Sequence, residues 1–420
     1  MTQEPILTLN DDHTSDWIFH PAVQSVFELL KPHGFETRVV GGAVRNALLG
    51  YPIKDIDFAT TALPEDVLRL AGKANMRAIP TGLAHGTITL CIEDRSFEIT
   101  TLRRDIETDG RHAKVAATYN WTEDAQRRDF TINALYADQH GHVYDPLNGY
   151  QDILQKRLCF IGDANARIKE DYLRILRFFR FQAQYHLSTL DLNSINACTR
   201  HHNGLRKLSG ERVASEMLRL LCAPMAYDGV QLMFRYGVLA HVLCQAVRLS
   251  HLDNLIGIYK TLGTKPDSIL CLAALSIYTS KDAIFLSERL KLSRSDRKAL
   301  KLAASITPSD CCLPSLENAK RDLFLLGQEN YQKTILIRWA RSSDFNNETA
   351  WHEILTLPER WSPPIFPISG SDLITLGFSQ GSILGGTLLE LKNEWINSHF
   401  KLDRNHLLQK ARVLQIGEQS

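Results

Sequence analysis

Residues 38–60 read RVVGGAVRNALLGYPIKDIDFAT, and the order of residue types in this stretch decides the fold. A β-rich run, Arg38–Val40, meets Gly41-Gly42 and then a helical pattern over Ala43–Leu49. A glycine pair lets backbone approach a ligand closely, and the helix start behind it offers free N–H groups to phosphate oxygens. Alone, the same pair also suits a plain turn. Asp55-Ile56-Asp57 follows. In a strand, residues i and i+2 share a face, so both carboxylates point one way and Ile56 and Phe58 the other. Two close carboxylates repel unless a cation lies between them. Oxygen ligands of this kind suit Mg²⁺ whose shell is completed by substrate phosphates. A solvated turn is the ordinary alternative for an isolated D-x-D.

Glu98 adds a third carboxylate. It lies in SFEITTLR (96–103), flanked by Phe97 and Ile99, and so projects opposite to those apolar neighbours. Three carboxylates on adjacent strands of one sheet suit two-metal phosphoryl transfer, in which one cation activates an attacking hydroxyl and both stabilise the departing pyrophosphate.

The charge balance of the chain points the same way. Its 420 residues carry 48 Lys and Arg against 47 Asp and Glu. Residues 1–150 hold 14 against 21, and the remainder 34 against 26. An acidic front and a basic rear fit a protein that holds metal ions in one part and a polyanion in the other. Hydrophobic residues at 44% and charged residues at 23% exclude disordered and fibrous classes. No apolar run approaches the ~18 residues of a membrane span, so no membrane partner is expected. The N-terminal stretch lacks the basic start and apolar core of a secretory signal and the arginines of a mitochondrial presequence, which predicts a cytoplasmic protein. Eight cysteines without a C-x-x-C read as buried reduced thiols rather than a zinc site or redox pair.

Short β-rich runs occur at Thr37–Val40, Asp55–Phe58, Met76–Ile79, Gly86–Glu93, Ser96–Arg103 and Asn133–Asp138, the fourth and fifth as a hairpin turning at Asp94-Arg95. Helical patterns intervene at Pro21–Leu30, Ala43–Leu49 and Pro64–Ala71. After Gly149 the strand signal fades, and Ala164–Tyr185, Gly210–Leu221, Asp228–Tyr236 and Asp267–Ile277 show helical spacing. The predicted fold is an α+β head with a small mixed or antiparallel sheet, followed by an all-α neck, body and tail. The expected divisions are 1–150, 151–220, 221–360 and 361–420, with a Pro-rich break at Trp361–Pro367 before the last helical unit.

GGAVRN (41–46), DIDFATTA (55–62), HGTIT (85–89), FEITTLR (97–103), DGRHA (109–113), RRDFTINAL (127–135), DPLNGYQD (145–152) and EDYLRILRFFRF (170–181) occur in this order. The set resembles the tRNA nucleotidyltransferase and poly(A) polymerase family, whose members are class II, DNA-polymerase-β-like nucleotidyltransferases. The resemblance is close over about residues 35–215 and is strongest to bacterial and mitochondrial-type CCA-adding enzymes. It implies that Asp55 and Asp57 bind the catalytic metals with Glu98 as third ligand, and that Gly41, Gly42 and Arg45 meet the triphosphate. Asn46 stands where the family usually has Asp; it can accept a hydrogen bond but holds no ion pair. Arg128 and Asp129, preceded by Arg127, resemble the pair that tells ribose from deoxyribose, since a carboxylate accepts from a 2′-OH and a guanidinium donates to it.

Glu170-Asp171-x-x-Arg174 resembles the protein template that selects the base. Asp171 and Arg174, three apart, are expected to share a helix face. Asp only accepts and Arg only donates. Cytosine and adenine both show an amino donor beside a ring-nitrogen acceptor, whereas uracil and guanine show the reverse. One such pair therefore accepts CTP and ATP and rejects UTP and GTP; an ordinary helix ion pair would look the same. Arg177 and Arg180 continue that face toward phosphates, with Glu170 in support, and Glu211 is a candidate to orient Arg174. Residues 105–118, with Asp105 and Arg111, match a flexible loop needed to switch from C to A addition. His85 reads more readily as a structural histidine than a functional one. The resemblance thus implies CCA addition to tRNA with CTP, ATP and two Mg²⁺, with no protein partner called for. Poly(A) polymerase activity, partial CC or A addition, and an idle RNA-binding protein are the alternatives. The intact carboxylates oppose the last, and the tail's lack of a long basic segment opposes the first.

Overall fold

Phe58, Phe97 and Phe27 show why the front of the chain forms a sheet with one covered face. Phe58 and Phe97 sit on neighbouring strands, and Phe58 meets both other rings edge-on at 5.3 and 5.8 Å. The computed structural model describes residues 4–9, 16–109 and 112–418. It has two compact units, Met1–Gln245 and Ala246–Ser420.

The first unit carries ten strands among the described residues: β1 Leu7–Thr8, β2 Thr37–Val40, β3 Asp57–Thr60, β4 Arg77–Gly82, β5 Thr87–Ile92, β6 Arg95–Thr101, β7 Arg103–Asp109, β8 His112–Ala117, β9 Tyr136–Ala137 and β10 His142–Tyr144. Eight form one sheet in the order β1-β10-β9-β2-β3-β6-β5-β4, and β7 and β8 pair separately. All neighbours in the large sheet are antiparallel except β3 and β6, which run parallel and place Asp57 opposite Glu98. The alternation of β6 is as expected: Phe97, Ile99 and Thr101 are buried and Glu98 is exposed. Helix Pro21–Leu30 has the expected bounds, with Val23, Val26, Phe27 and Leu30 buried. Among the described residues no strand follows Tyr144, and the helix Gly210–Leu221 also starts and ends where its periodicity predicts.

Several local expectations are corrected. The strand carrying the D-x-D begins at Asp57, so Asp55 precedes it rather than sharing its pleat. The hairpin turns at Glu93-Asp94, where Glu93 takes a left-handed φ of 55°. The run Asn133–Asp138 starts as a 3₁₀ turn, Thr131–Asn133, before β9. The expected flexible loop at 105–118 falls largely within the paired strands β7 and β8; Arg111 and the side chain of Asp105 lie outside the described residues. The cysteines were expected to be buried, but only Cys198 and Cys271 are; Cys222, Cys244 and Cys312 are exposed.

The second unit is helical throughout its described residues. Ser268–Ser276, capped by Asp267, is almost wholly buried. Its last part packs Leu373, Leu391, Trp395 and Leu407 into one cluster, with Phe324 against it.

Candidate active site

Gly41 sits where β2 hands over to the helix Gly42–Leu49. Its φ of 71° and ψ of −110° are reserved for glycine, and a Cβ there would stand 3.3 Å from the Asn133 carbonyl and 3.7 Å from Arg128 Nη1. The turn therefore brings bare backbone against the segment that carries Arg128 and Asn133. Around it opens a cleft of about 670 Å³. Gly41, Gly42, Arg45, Asp55, Asp57, Arg128, Asp129, Arg177 and Arg180, all named from the sequence, line this one cleft. Lys54 and Arg219 add two exposed cations. The carboxylates come from residues before 150 and most of the arginines from residues after it, so the charge asymmetry along the chain converges on a single site.

Asp57 is the carboxylate most perturbed here. Burial in the cleft, then Glu98 and Asp55, push it from 3.8 to about 6 against the pull of Arg128. That is the state of a carboxylate crowded by negative neighbours, and a cation would relieve it. Among the described residues no group of three or more His, Cys, Asp or Glu is gathered tightly enough to enclose a metal by itself. The donor set thus fits a cation that takes part of its shell from substrate oxygens.

Asp129 carries the opposite shift. Burial alone would raise it, but Arg177 and the amide of Asn133 hold it down at about 2. Its Oδ2 accepts from Arg177 Nε at 2.7 Å and its Oδ1 from Asn133 Nδ2 at 2.9 Å. This pair opens a closed circuit. Arg177 forms an ion pair with Glu216 at 3.7 Å. Glu216 accepts from Arg180 Nε at 2.6 Å. Arg180 donates to Gln184 Oε1 at 2.8 Å, and Gln184 Nε2 donates to the Tyr185 hydroxyl at 3.1 Å. Arg45 donates to both Tyr185 Oη and Asn133 Oδ1, which returns the chain to Asp129. Arg45 is only 6% exposed and also donates to Asn46 Oδ1 at 2.8 and 3.2 Å. Asn46 thus replaces the family's ion pair with neutral acceptance, and Arg45 lines the cleft with its donors already engaged.

Asn133, Gln184, Tyr185 and Glu216 were not foreseen. Glu216 left a signal, as the one carboxylate on the buried face of Gly210–Leu221. Removing only the Tyr185 hydroxyl tests the circuit. In Tyr185→Phe the nucleotide KM is expected to rise about tenfold, one hydrogen bond to a charged group, with kcat within about twofold. Unchanged KM values for both CTP and ATP would disprove it.

The motif expected to select the base departs from its expected geometry. The pattern Ala164–Tyr185 is two helices, Ala164–Glu170 and Leu173–Gln184. Asp171 lies between them in extended conformation, so it and Arg174 share no continuous helix face. Asp171 accepts from Leu173 N at 3.1 Å and from Arg212 Nη2 at 2.6 Å. Arg174 donates to Glu170 Oε2 and to the Arg167 carbonyl. Glu170, rather than Glu211, therefore orients Arg174, and Arg212 holds Asp171. Glu98, Asp171, Arg174 and His85 are not among the residues lining the cleft.

A profile of the Poly A polymerase head domain matches residues 37–159, and one described as "Probable RNA and SrmB- binding site of polymerase A" matches residues 189–247. The mouse (Mus musculus) CCA tRNA nucleotidyltransferase 1, mitochondrial, is 33% identical over 400 residues, 93% of this chain and 90% of that protein. The CCA-adding enzyme of Geobacillus thermodenitrificans is 37% identical over 215 residues, about half of each chain (51% and 52%). In fold, the chain resembles the crystal structure of the Bacillus stearothermophilus CCA-adding enzyme in complex with CTP, with a TM-score of 0.76 and 24% identity, covering 97% of this chain and 99% of that one.

Proposed function

The chain belongs to the family of CCA-adding tRNA nucleotidyltransferases, and we propose that it adds C, C and A to tRNA 3′ ends from CTP and ATP with Mg²⁺. The observation that carries this reading is the single cleft that gathers Asp55 and Asp57, the Gly41-Gly42 helix start, Arg128, Asp129, Arg177 and Arg180. Asp55 and Asp57, with Glu98 beside Asp57, would hold the metal, which when bound lowers the pKa of the attacking hydroxyl and neutralises phosphate charge. The tRNA 3′-hydroxyl attacks the α-phosphorus in line and pyrophosphate leaves. The N–H groups at the start of Gly42–Leu49, with Arg177 and Arg180, hold the triphosphate. Arg128 and Asp129 read the 2′-hydroxyl.

Base choice belongs to Asp171 and Arg174 in this proposal. Each now bonds a protein partner, so an incoming cytosine or adenine takes the place of Arg212 or Glu170 as partner. Asp171→Ala is expected to lower discrimination against UTP roughly 10–100-fold while transfer from CTP falls less. Single-nucleotide incorporation with each of the four triphosphates reads this directly, and undiminished selectivity would remove Asp171 from the template.

The functional division into head (1–150), neck (151–220), body (221–360) and tail (361–420) is part of the proposal, the tail serving tRNA contact. So is the cytoplasm as compartment, supported by eight cysteines among which no C-x-x-C occurs. Among the described residues no helix is long and apolar enough to cross a membrane. The deciding experiment supplies Mg²⁺ and CTP, ATP or both to a tRNA lacking its last three nucleotides. Two C, one A and a stop are expected. A long A ladder from ATP alone would make the chain a poly(A) polymerase, and two C without A would make it a CC-adding enzyme.

A further inference from the structure

Arg167 does not line the active-site cleft, yet it is bonded both to the Glu170–Arg174 pair and to the segment that carries Arg128. It lies in the helix Ala164–Glu170 and is only 8% exposed. Its guanidinium faces two ways. Nη1 donates to Glu170 Oε2 at 2.6 Å, and the same oxygen accepts from Arg174 Nη1. Nη2 donates to the Arg128 carbonyl at 2.8 Å and to the Gln126 carbonyl. Gln126 ends the short helix Trp121–Gln126, whose last carbonyls lack partners within the helix. Two edges of one planar group thus grip a carboxylate and a stretch of main chain at once, which the single ammonium of a lysine does less well.

One oxygen of Glu170 serves two guanidinium groups. The two cations repel each other across it, so each holds Glu170 less firmly than it would alone. When a base takes over Arg174, Glu170 turns to Arg167 undivided. Arg167 is then held harder against the Gln126 and Arg128 carbonyls, and this main chain carries the side chains of Arg128 and Asp129. Arg177, one turn beyond Arg174, also joins the helix Leu173–Gln184 to Asp129, but side chain to side chain rather than through the backbone.

We propose that Arg167 is a positioning residue that couples the choice of base to the choice of sugar. A fitting base at Arg174 releases Glu170 to Arg167, and Arg167 sets the main chain of Arg128 for the 2′-hydroxyl. The inference rests on the base and ribose contacts proposed above. Its consequence is that a nucleotide is judged as a whole. A wrong base loosens the sugar contact too, so a second fault on the same nucleotide costs less than it would alone.

Incorporation of CTP, UTP, dCTP and dUTP into a tRNA lacking its last three nucleotides closes a cycle of kcat/KM values. The losses from CTP to UTP and from CTP to dCTP test the two contacts, and the departure of dUTP from the product of those losses tests the coupling. In the native protein dUTP is expected to be used about tenfold better than that product, the worth of one hydrogen bond between charged groups. In Arg167→Met, which removes every donor, dUTP is expected to match the product within about twofold. Arg167→Lys keeps the charge without the fork and is expected to keep a departure of about threefold, so the result does not hinge on the methionine variant folding. Each value is a ratio within one preparation, so a smaller folded fraction cancels and a merely structural role leaves the cycle unmoved. Additive losses in the native protein overturn the proposal. So does a tenfold departure that survives in the Arg167 variants, which would give the coupling to Arg177 and Asp129. Failure of the contacts themselves looks different: UTP or dCTP would then be used as well as CTP, and the coupling would fall with them.

Discussion

Replacing Asp57 by asparagine is expected to lower nucleotide transfer about a thousandfold or more, the loss of several kcal/mol of transition-state stabilisation by a bound metal. Binding of tRNA is expected to stay within about twofold, because Asp57 bears negative charge and repels rather than attracts phosphate. The same variant has a second signature, in stability. Asp57 is raised to about 6 by burial, Glu98 and Asp55. A carboxylate raised on folding favours the folded state most below its unfolded pKa of 3.8, and that advantage disappears as pH rises through about 6. At pH 7.5, without divalent metal, the charged side chain therefore costs stability. Its openness to solvent trims the cost to about 1 kcal/mol. Asp57→Asn recovers this at pH 7.5 and gains nothing at pH 4. Mg²⁺ would stabilise the native protein at pH 7.5 but not the variant. Chemical denaturation at the two pH values, with and without Mg²⁺, measures both. A variant that transfers at the native rate would remove Asp57 from the metal site.

Asp57 and Glu98 were legible because their neighbours alternate. Phe58, Phe97 and Ile99 must face the core, so the carboxylates must face away, and a period of two needs no information from elsewhere in the chain. The parallel pairing that sets them opposite each other was not legible, since β4 and β5 intervene between β3 and β6. Asp171 failed for a related reason. The apolar spacing of 164–185 is continuous, and nothing local ends the helix at Glu170. The Tyr172 ring lies against Gly204, where a Cβ would stand 2.0 Å from Tyr172 Cδ1. A glycine 32 residues later thus accommodates the residue that follows the break. The circuit through Asn133, Gln184, Tyr185 and Glu216 joins separate segments of the chain and has no period at all. Only the Glu216 carboxylate, set among Val213, Met217 and Leu220, stood out against its own helix.

Asp124→Asn is expected to destabilise the first unit by about 3 kcal/mol, the cost of leaving two half-buried cations without their buried counter-charge. Asp124 is 1% exposed. It accepts from Arg127 Nε at 2.9 Å, from Arg128 Nη2 at 2.9 Å and from the Tyr136 hydroxyl at 2.9 Å. An asparagine keeps one acceptor oxygen for three donor side chains and offers no charge to two guanidinium groups. Burial alone would raise the Asp124 pKa, but Arg128 and Arg127 hold it at about 2. The sign follows from that depression. The stabilisation, about 2 kcal/mol for a shift of this size, is present above pH 3.8 and is lost as pH falls through about 2. Asp129, also at about 2, loses its contribution over the same window. Denaturation profiles of the native protein are therefore expected to fall steeply between pH 4 and pH 2, and Asp124→Asn loses its share of that slope. A cost below about 1 kcal/mol with an unchanged slope would show that the arginines find other partners. The variant also joins stability to substrate choice. Arg128 is fixed by Asp124 on one side and faces the cleft on the other, so a guanidinium released from Asp124 no longer holds its place for the 2′-hydroxyl contact proposed above. Discrimination of CTP over dCTP is expected to fall in Asp124→Asn at a temperature where the variant is still folded, and a native ratio there would separate the proposed ribose contact from the network beneath it.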